Sequence, residues 1–236
     1  MKKTLVLFGA ALAIAPALIG CRETTSSEFI RTGGIAALVD VTADADDHSV
    51  VHVELAVGGP FGTLVDLQSG DTLKATGGSE SKDLQRVSAG VYEATFASGK
   101  AIDFSVDFER ATDDDAPSNK GTLPTPFKLT KPATTDSLSR TGDELTITWD
   151  TAPGVDGDVE LDGSCIFTTS KTVSGSAKSI TFAKGEIKNL DDKKPESCSV
   201  EVKLSFTRDG STDPALDPDS YFHAVQERTV TFTSNP

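Results

Sequence analysis

Residues 102–109 read Ile-Asp-Phe-Ser-Val-Asp-Phe-Glu. Ile102, Phe104, Val106 and Phe108 alternate with Asp103, Ser105, Asp107 and Glu109. Side chains along a strand point to opposite faces in turn, so one face here is apolar and the other is wet. A helix would scatter both sets around its axis. The stretch predicts a strand packed on one side only, and it sets the template for the rest of the chain.

The same period of two recurs on either side. Ile35, Ala37, Val39 and Val41 form one such row, and Val51, Val53, Leu55 and Val57 form another, with His52 and Glu54 opposite. Gly58-Gly59-Pro60, Gly77-Gly78, Gly90 and Ser98-Gly99 punctuate the rows as turns. Turn signals roughly every 8–12 residues between short alternating runs are the pattern of a β-sandwich. No stretch after the N-terminal segment keeps a helical period over three turns. The fold class expected is all-β.

Residues 111–120 (ATDDDAPSNK) interrupt the pattern and read as a domain boundary. A second set of rows follows. Leu145, Ile147 and Trp149 alternate with polar residues, as do Val200, Val202, Leu204 and Phe206. Ile180 with Phe182, and Val230 with Phe232, give shorter strands. The organisation expected is a first sandwich over 29–118 and a second over 119–236, in tandem.

Within the second unit, the stretch Pro132 to Pro153, with Leu145-Thr-Ile-Thr-Trp-Asp-Thr-Ala-Pro153 inside it, resembles the opening of a fibronectin type III or related immunoglobulin-like domain. In those domains an apolar strand ends in a core Trp with Pro soon after, the places held here by Trp149 and Pro153. The resemblance covers about 20 residues and implies an immunoglobulin-like sandwich. It departs in that both later cysteines follow the Trp, and no tyrosine-corner residue is evident.

The N-terminus has a different character. Met1-Lys2-Lys3 precedes the apolar run TLVLFGAALAIAPALIG, residues 4–20. That length and charge pattern are those of a signal peptide. The run closes on Leu18-Ile19-Gly20-Cys21, which resembles the lipobox of bacterial lipoproteins. The resemblance implies removal of residues 1–20 and a diacylglycerol on the Cys21 thiol. Several acyl chains on one residue anchor stably, at about 0.8 kcal/mol per buried CH₂. An ordinary secretory signal with Cys21 in a disulfide is the alternative. Arg22, where inner-membrane retention would want Asp, favours the outer membrane. Residues 21–28 then read as a lipidated tether.

Cys165 and Cys198 are the remaining pair. In an oxidising compartment a disulfide between them is expected, with free thiols or metal ligands as alternatives. No second Cys or His lies close to either in sequence, which argues against zinc.

Net charge is −14, becoming −16 once Lys2 and Lys3 leave with the signal. Such a surface repels phosphate backbones and argues against nucleic acid as a partner. Three acidic clusters stand out: Asp44, Asp46 and Asp47; Asp113, Asp114 and Asp115; Asp213, Asp217 and Asp219. None fits the twelve-residue calcium loop. The Asp113–Asp115 cluster is the best calcium candidate, against a solvated loop. His48 and His52 share a face if their strand starts early, and His223 completes the histidines. There is no G-x-S-x-G elbow, and Gly33-Gly34 and Gly77-Gly78 lack the helix a phosphate loop needs. No cofactor is expected. The functional expectation is a membrane-anchored, non-enzymatic envelope module that binds a protein partner or has a structural role. A carbohydrate-binding adhesin and an envelope hydrolase are the alternatives.

Overall fold

The computed structural model describes residues 22–68, 70–100 and 102–236. The signal segment 1–20 and Cys21 lie outside the described residues. In chain order the first strands are β1 (Thr24–Ser26), β2 (Ile35–Ala45), β3 (His48–Val57), β4 (Thr63–Asp66), β5 (Thr72–Gly77) and β6 (Glu80–Asp83). Next come β7 (Gln85–Ser88), β8 (Val91–Phe96), β9 (Asp103–Glu109), β10 (Ala116–Thr122), β11 (Leu129–Lys131) and β12 (Ser137–Ser139). The last are β13 (Leu145–Trp149), β14 (Gly157–Gly163), β15 (Thr169–Val173), β16 (Ser179–Phe182), β17 (Cys198–Asp209) and β18 (Tyr221–Asn235). Short 3-10 turns at Ser27–Phe29 and Thr32–Gly34 are the helical pieces among the described residues. No described helix is long and apolar enough to cross a membrane.

The chain is all-β and forms two β-sandwiches in tandem. One long sheet runs through both, in the order β1-β4-β3-β2-β18-β17-β14-β15, with β8 and β7 joined on β3 and β12 joined on β18. In the first sandwich it faces the sheet β10-β9-β5-β6, and in the second the sheet β11-β13-β16. The apolar face of β9 (Phe104, Val106, Phe108) is buried, as its alternation requires. It meets Val39, Val41, Val51, Val53 and Phe96 in one core cluster, where Phe96 and Phe104 stack edge to face at 5.3 Å. The second core gathers Ile147, Trp149, Phe182, Val202 and Phe206. Trp149 ends β13, 3% exposed, 6.0 Å from the Phe206 ring.

Three features depart from the sequence reading. Residues 22–28 are not a free tether: β1 pairs parallel with β4, Glu23 O accepts from Leu64 N at 2.8 Å, and Ser27 is buried. Second, the expected boundary at 118/119 falls inside β10, which pairs antiparallel with β9. The acidic half of the run is the β9–β10 hairpin turn and its Pro-bearing half begins β10, and polarity alone does not separate a hairpin from a linker. The crossover comes later, between Leu123 in the first core and Phe127 in the second.

Third, 119–236 is not one unit. Leu216, Phe222 and Ala224 belong to the first core. The first half of β18 pairs parallel with β2 (Tyr221↔Leu38 to Gln226↔Ala43), and its end pairs parallel with β12 (Ser137↔Thr233). One strand therefore closes both sandwiches. β17 pairs with it without a break from Cys198↔Ser234 to Asp209↔His223. At about 3.4 Å per residue this hairpin is roughly 40 Å long and fixes the long axis. At the junction, Arg228 donates to Ala43 O at 2.9 Å and lies 3.3 Å from Asp46, which Lys128 also approaches at 3.3 Å.

Candidate functional site

The register assigns the loops to two ends. The antiparallel pairing of β3 with β2 puts Val57 opposite Ile35, and the parallel pairing of β18 with β2 puts Tyr221 at that same end. The β3–β4 turn and the start of β1 belong to it. Cys198 and Gly163 lie at the far end.

At the near end Arg22 is held firmly. Its guanidinium donates to Gly62 O at 2.8 and 3.0 Å and to Pro60 O at 3.1 Å, and pairs with Glu54 at 2.6 Å. Further along, Arg110 ties the same segment from inside. It donates to Ser27 O (2.8 Å) and Ile30 O (3.0 Å) and sits 2.9 Å from Asp71, with the Arg110 and Asp71 side chains both buried.

On the outer face of the long sheet the pairing aligns Glu93, His52, Asp40, His223 and Asp209 in one row across β8, β3, β2, β18 and β17. His52 Nδ1 is 2.9 Å from Glu93, and His223 lies 3.4 Å from Asp40 and 3.5 Å from Asp209. Tyr221 stacks on His223 at 4.2 Å and donates to Asp40 at 3.2 Å. Burial, with the Asp40 charge beside it, pushes the Tyr221 phenol up to about 12. Beside the row a depression of ≈ 290 Å³ is lined by Arg22, Asp40, His52, Glu54, Phe61 and Tyr221.

His48 does share its face with His52, but its Nδ1 goes to Asp44 at 2.6 Å. Asp113 accepts from Thr32 N at 2.7 Å, which holds its carboxyl below the ordinary range, and Asp115 accepts from Arg110 N at 2.6 Å. Asp213 accepts from Ser118 N at 2.9 Å and Ala215 N at 2.9 Å. These carboxylates cap backbone N–H groups. Among the described residues no three His, Cys, Asp or Glu side chains are arranged to hold a metal.

At the far end Cys165 and Cys198 form the disulfide, with Cα atoms 5.8 Å apart. Arg140 is buried beside it, donating to Cys165 Sγ (3.3 Å), Ser234 Oγ (3.0 Å), Glu196 O (2.7 Å) and Asn189 Oδ1 (2.8 Å). Burial lowers its pKa, since the charged form is the one that loses solvent. The bridge clamps a ribbon in which Phe167 N donates to Lys188 O (3.1 Å) and Leu190 N to Cys165 O (3.0 Å). Phe167 is 55% exposed and Leu190 52%. That pairing puts them one diagonal step apart, about 7–8 Å. A depression of ≈ 150 Å³ beside Leu190 is lined by Ser164, Cys165, Leu190, Asp191, Lys194 and Glu196.

The sequence reading reaches the disulfide but not this tip, nor the acid–histidine row. Phe167 and Leu190 are 23 residues apart in sequence and meet only through the fold.

No family model and no curated protein matches the chain. Among solved structures, a chain described as "Cytokine receptor complex" is 12% identical, covering 81% of this chain and 94% of that one, with a TM-score of 0.28. The fibronectin(III)-like modules of Clostridium thermocellum CbhA are 10% identical over 84% of this chain and 94% of theirs, with a TM-score of 0.25. Trypsin-activated alpha-2-macroglobulin from Escherichia coli is 10% identical over 84% of this chain but 16% of its own, with a TM-score of 0.24. Likeness at this level says nothing of what the chain binds.

Proposed function

We propose that the mature chain is a non-enzymatic envelope lipoprotein. It stands on a membrane through lipid on Cys21 and presents its disulfide-clamped tip to a protein partner. The observation that carries this reading is the opposition of the two ends. Arg22, one residue from the proposed anchor, is fastened at one end of the β17–β18 hairpin, and Phe167 and Leu190 are exposed at the other. A preformed surface loses less on binding than one that must order first. The Arg22 segment sets the bilayer side, and the fused sandwiches act as a rigid spacer.

Two experiments test this. Cys21→Ala is expected to move the protein from membranes to the soluble fraction; membrane retention would refute the anchor. Crosslinking in intact cells, followed by purification from detergent, is expected to recover one envelope protein with the wild type. The double variant Phe167→Ser, Leu190→Ser is expected to lose it. Equal recovery with both would refute the tip as the binding surface.

A second reading, glycan binding, draws on Phe61 and Tyr221 lining one depression with Asp40, His52 and Glu54. Aromatic faces stack on sugars while carboxylates accept from hydroxyls. Retention on a peptidoglycan column that Tyr221→Ala abolishes would favour it.

A further inference from the structure

The turn between β3 and β4 holds a phenylalanine where folding has no use for one. Gly59 to Gly62 form a tight turn, Gly62 N donating to Gly59 O at 2.9 Å, with Pro60 and Phe61 at its tip. Gly58 and Gly59 have positive φ, 82° and 89°, and a Cβ on Gly62 would run into the Val57 carbonyl. The backbone is thus tightly specified, yet Phe61 is 95% exposed, the most exposed large apolar side chain among the described residues. Turn tips ordinarily carry Asn, Asp, Ser or Gly.

Its neighbour explains the placement. Arg22 donates to the carbonyls on both sides of Phe61, those of Pro60 and Gly62. One peptide link, about 3.8 Å between Cα atoms, separates Arg22 from Cys21. Arg22 therefore joins the proposed lipid position to the turn that carries Phe61.

We infer that Phe61 inserts into the bilayer interface next to the Cys21 lipid, as a second contact that fixes how the molecule stands on the membrane. The inference rests on the lipid-anchor reading above. The surroundings specify the lipid. Asp219 approaches Gly59, and Glu23 and Glu54 flank Arg22, so this end carries more negative than positive charge. Anionic headgroups would be repelled, and zwitterionic ones are the fit. The Arg22 guanidinium, already bonded to two carbonyls and Glu54, serves to hold the turn rather than to attract phosphate.

The test uses the lipidated full chain in phosphatidylcholine–phosphatidylethanolamine vesicles, with lipids brominated near the top of the acyl chains as quenchers. Trp149 is buried in the second core and supplies the background in the wild type. Phe61→Trp is expected to add emission that is blue-shifted, quenched by bromolipid and shielded from iodide. Phe167→Trp, at the far end, is expected to add emission quenched by iodide only. Both positions are exposed, and a melting transition matching the wild type verifies the fold of each variant. The mass of the purified protein reports the lipid separately. Lipid present, with the added emission of Phe61→Trp open to iodide, would overturn the insertion while leaving the anchor intact. A mass lacking lipid would overturn both.

Discussion

The two sandwiches are alike in layering and opposite in how they are closed. The second keeps its ends together with a covalent bridge and the buried Arg140 beside it. The first contains no cysteine in residues 22–126 and is closed by a strand from the far end of the chain, with Phe222 and Ala224 entering its core. Arg110 and Asp71 then lock its N-terminal segment from within. The contrast teaches that the first sandwich depends on the same last strand as the second but has no covalent bridge of its own among its described residues. Its β2 edge stays unpaired until β18 is in place, and an unpaired edge is a site for wrong pairing. The disulfide, by holding Cys198 at the start of β17, steadies the hairpin that does the completing.

The largest expected effect breaks the comparison outright. A chain ended at Ser220 lacks β18 and so leaves both cores open; neither sandwich is expected to give a cooperative melting transition. If the second alone still melted cooperatively, the shared strand would not be essential to both. A matched pair is next. Phe222→Ala and Phe232→Ala remove the same side chain from the same strand, one in each core. Each is expected to cost about 3–5 kcal/mol, read by denaturant unfolding. Because one strand serves both cores, both variants are expected to shift a single transition together.

Replacing Cys165 and Cys198 with Ala opens a loop of sequence separation 33. The chain-entropy model puts that at about 3.5–4 kcal/mol. The loss is expected at first-sandwich reporters as well, Tyr92 fluorescence being one.

Acid gives a smaller and graded effect. Asp66 is held below its ordinary pKa of 3.8 chiefly by the Arg86 hydrogen bond, and in the second sandwich Glu186 is held low chiefly by Lys171. A lowered folded pKa means stability that is present above the unfolded value and lost as pH falls through the folded one. Melting temperature should therefore hold steady to about pH 4 and fall below it, with Asp66→Asn flattening part of the fall.

The smallest effect is spectroscopic. Both tyrosines, Tyr92 and Tyr221, lie in the first sandwich, and burial raises both phenols, Tyr221 to about 12. A raised phenol stabilises the fold below the unfolded value near 10, and that contribution is lost as pH rises through the folded one. Ultraviolet difference absorbance should show less tyrosinate at about pH 10 in the folded than in the unfolded protein. Equal ionisation there, with the fold intact, would contradict the packing around Tyr221.

Much of the fold was legible where a strand has one wet and one dry face. β3, β9, β13 and β17 carry that alternation and their burial largely follows it, whereas β2 alternates only beyond Val39 because Ile35 to Val39 are buried without a break. Strands without a buried face were invisible. β7 (Gln85–Ser88) is exposed along its whole length, and β10 contains Pro117, Ser118 and Gly121. Both lie at sheet edges, where the backbone gains bonds but the side chains bury little. The shared strand was missed for another reason. Nothing in Tyr221–Gln226 distinguishes a partner in its own unit from one far earlier in the chain, since register is set by what remains unpaired. The same limit hid the candidate sites. The disulfide could be read by counting, whereas the tip and the acid–histidine row exist only once strands distant in sequence are aligned.

The central claim is that the anchor end and the presenting end are opposite ends of one body. A photo-crosslinking amino acid placed at position 61 or at position 167, in living cells, tests it most directly. The account predicts phospholipid adducts from position 61 and a single protein adduct from position 167. Lipid adducts at position 167, or the same protein captured from both positions, would contradict it.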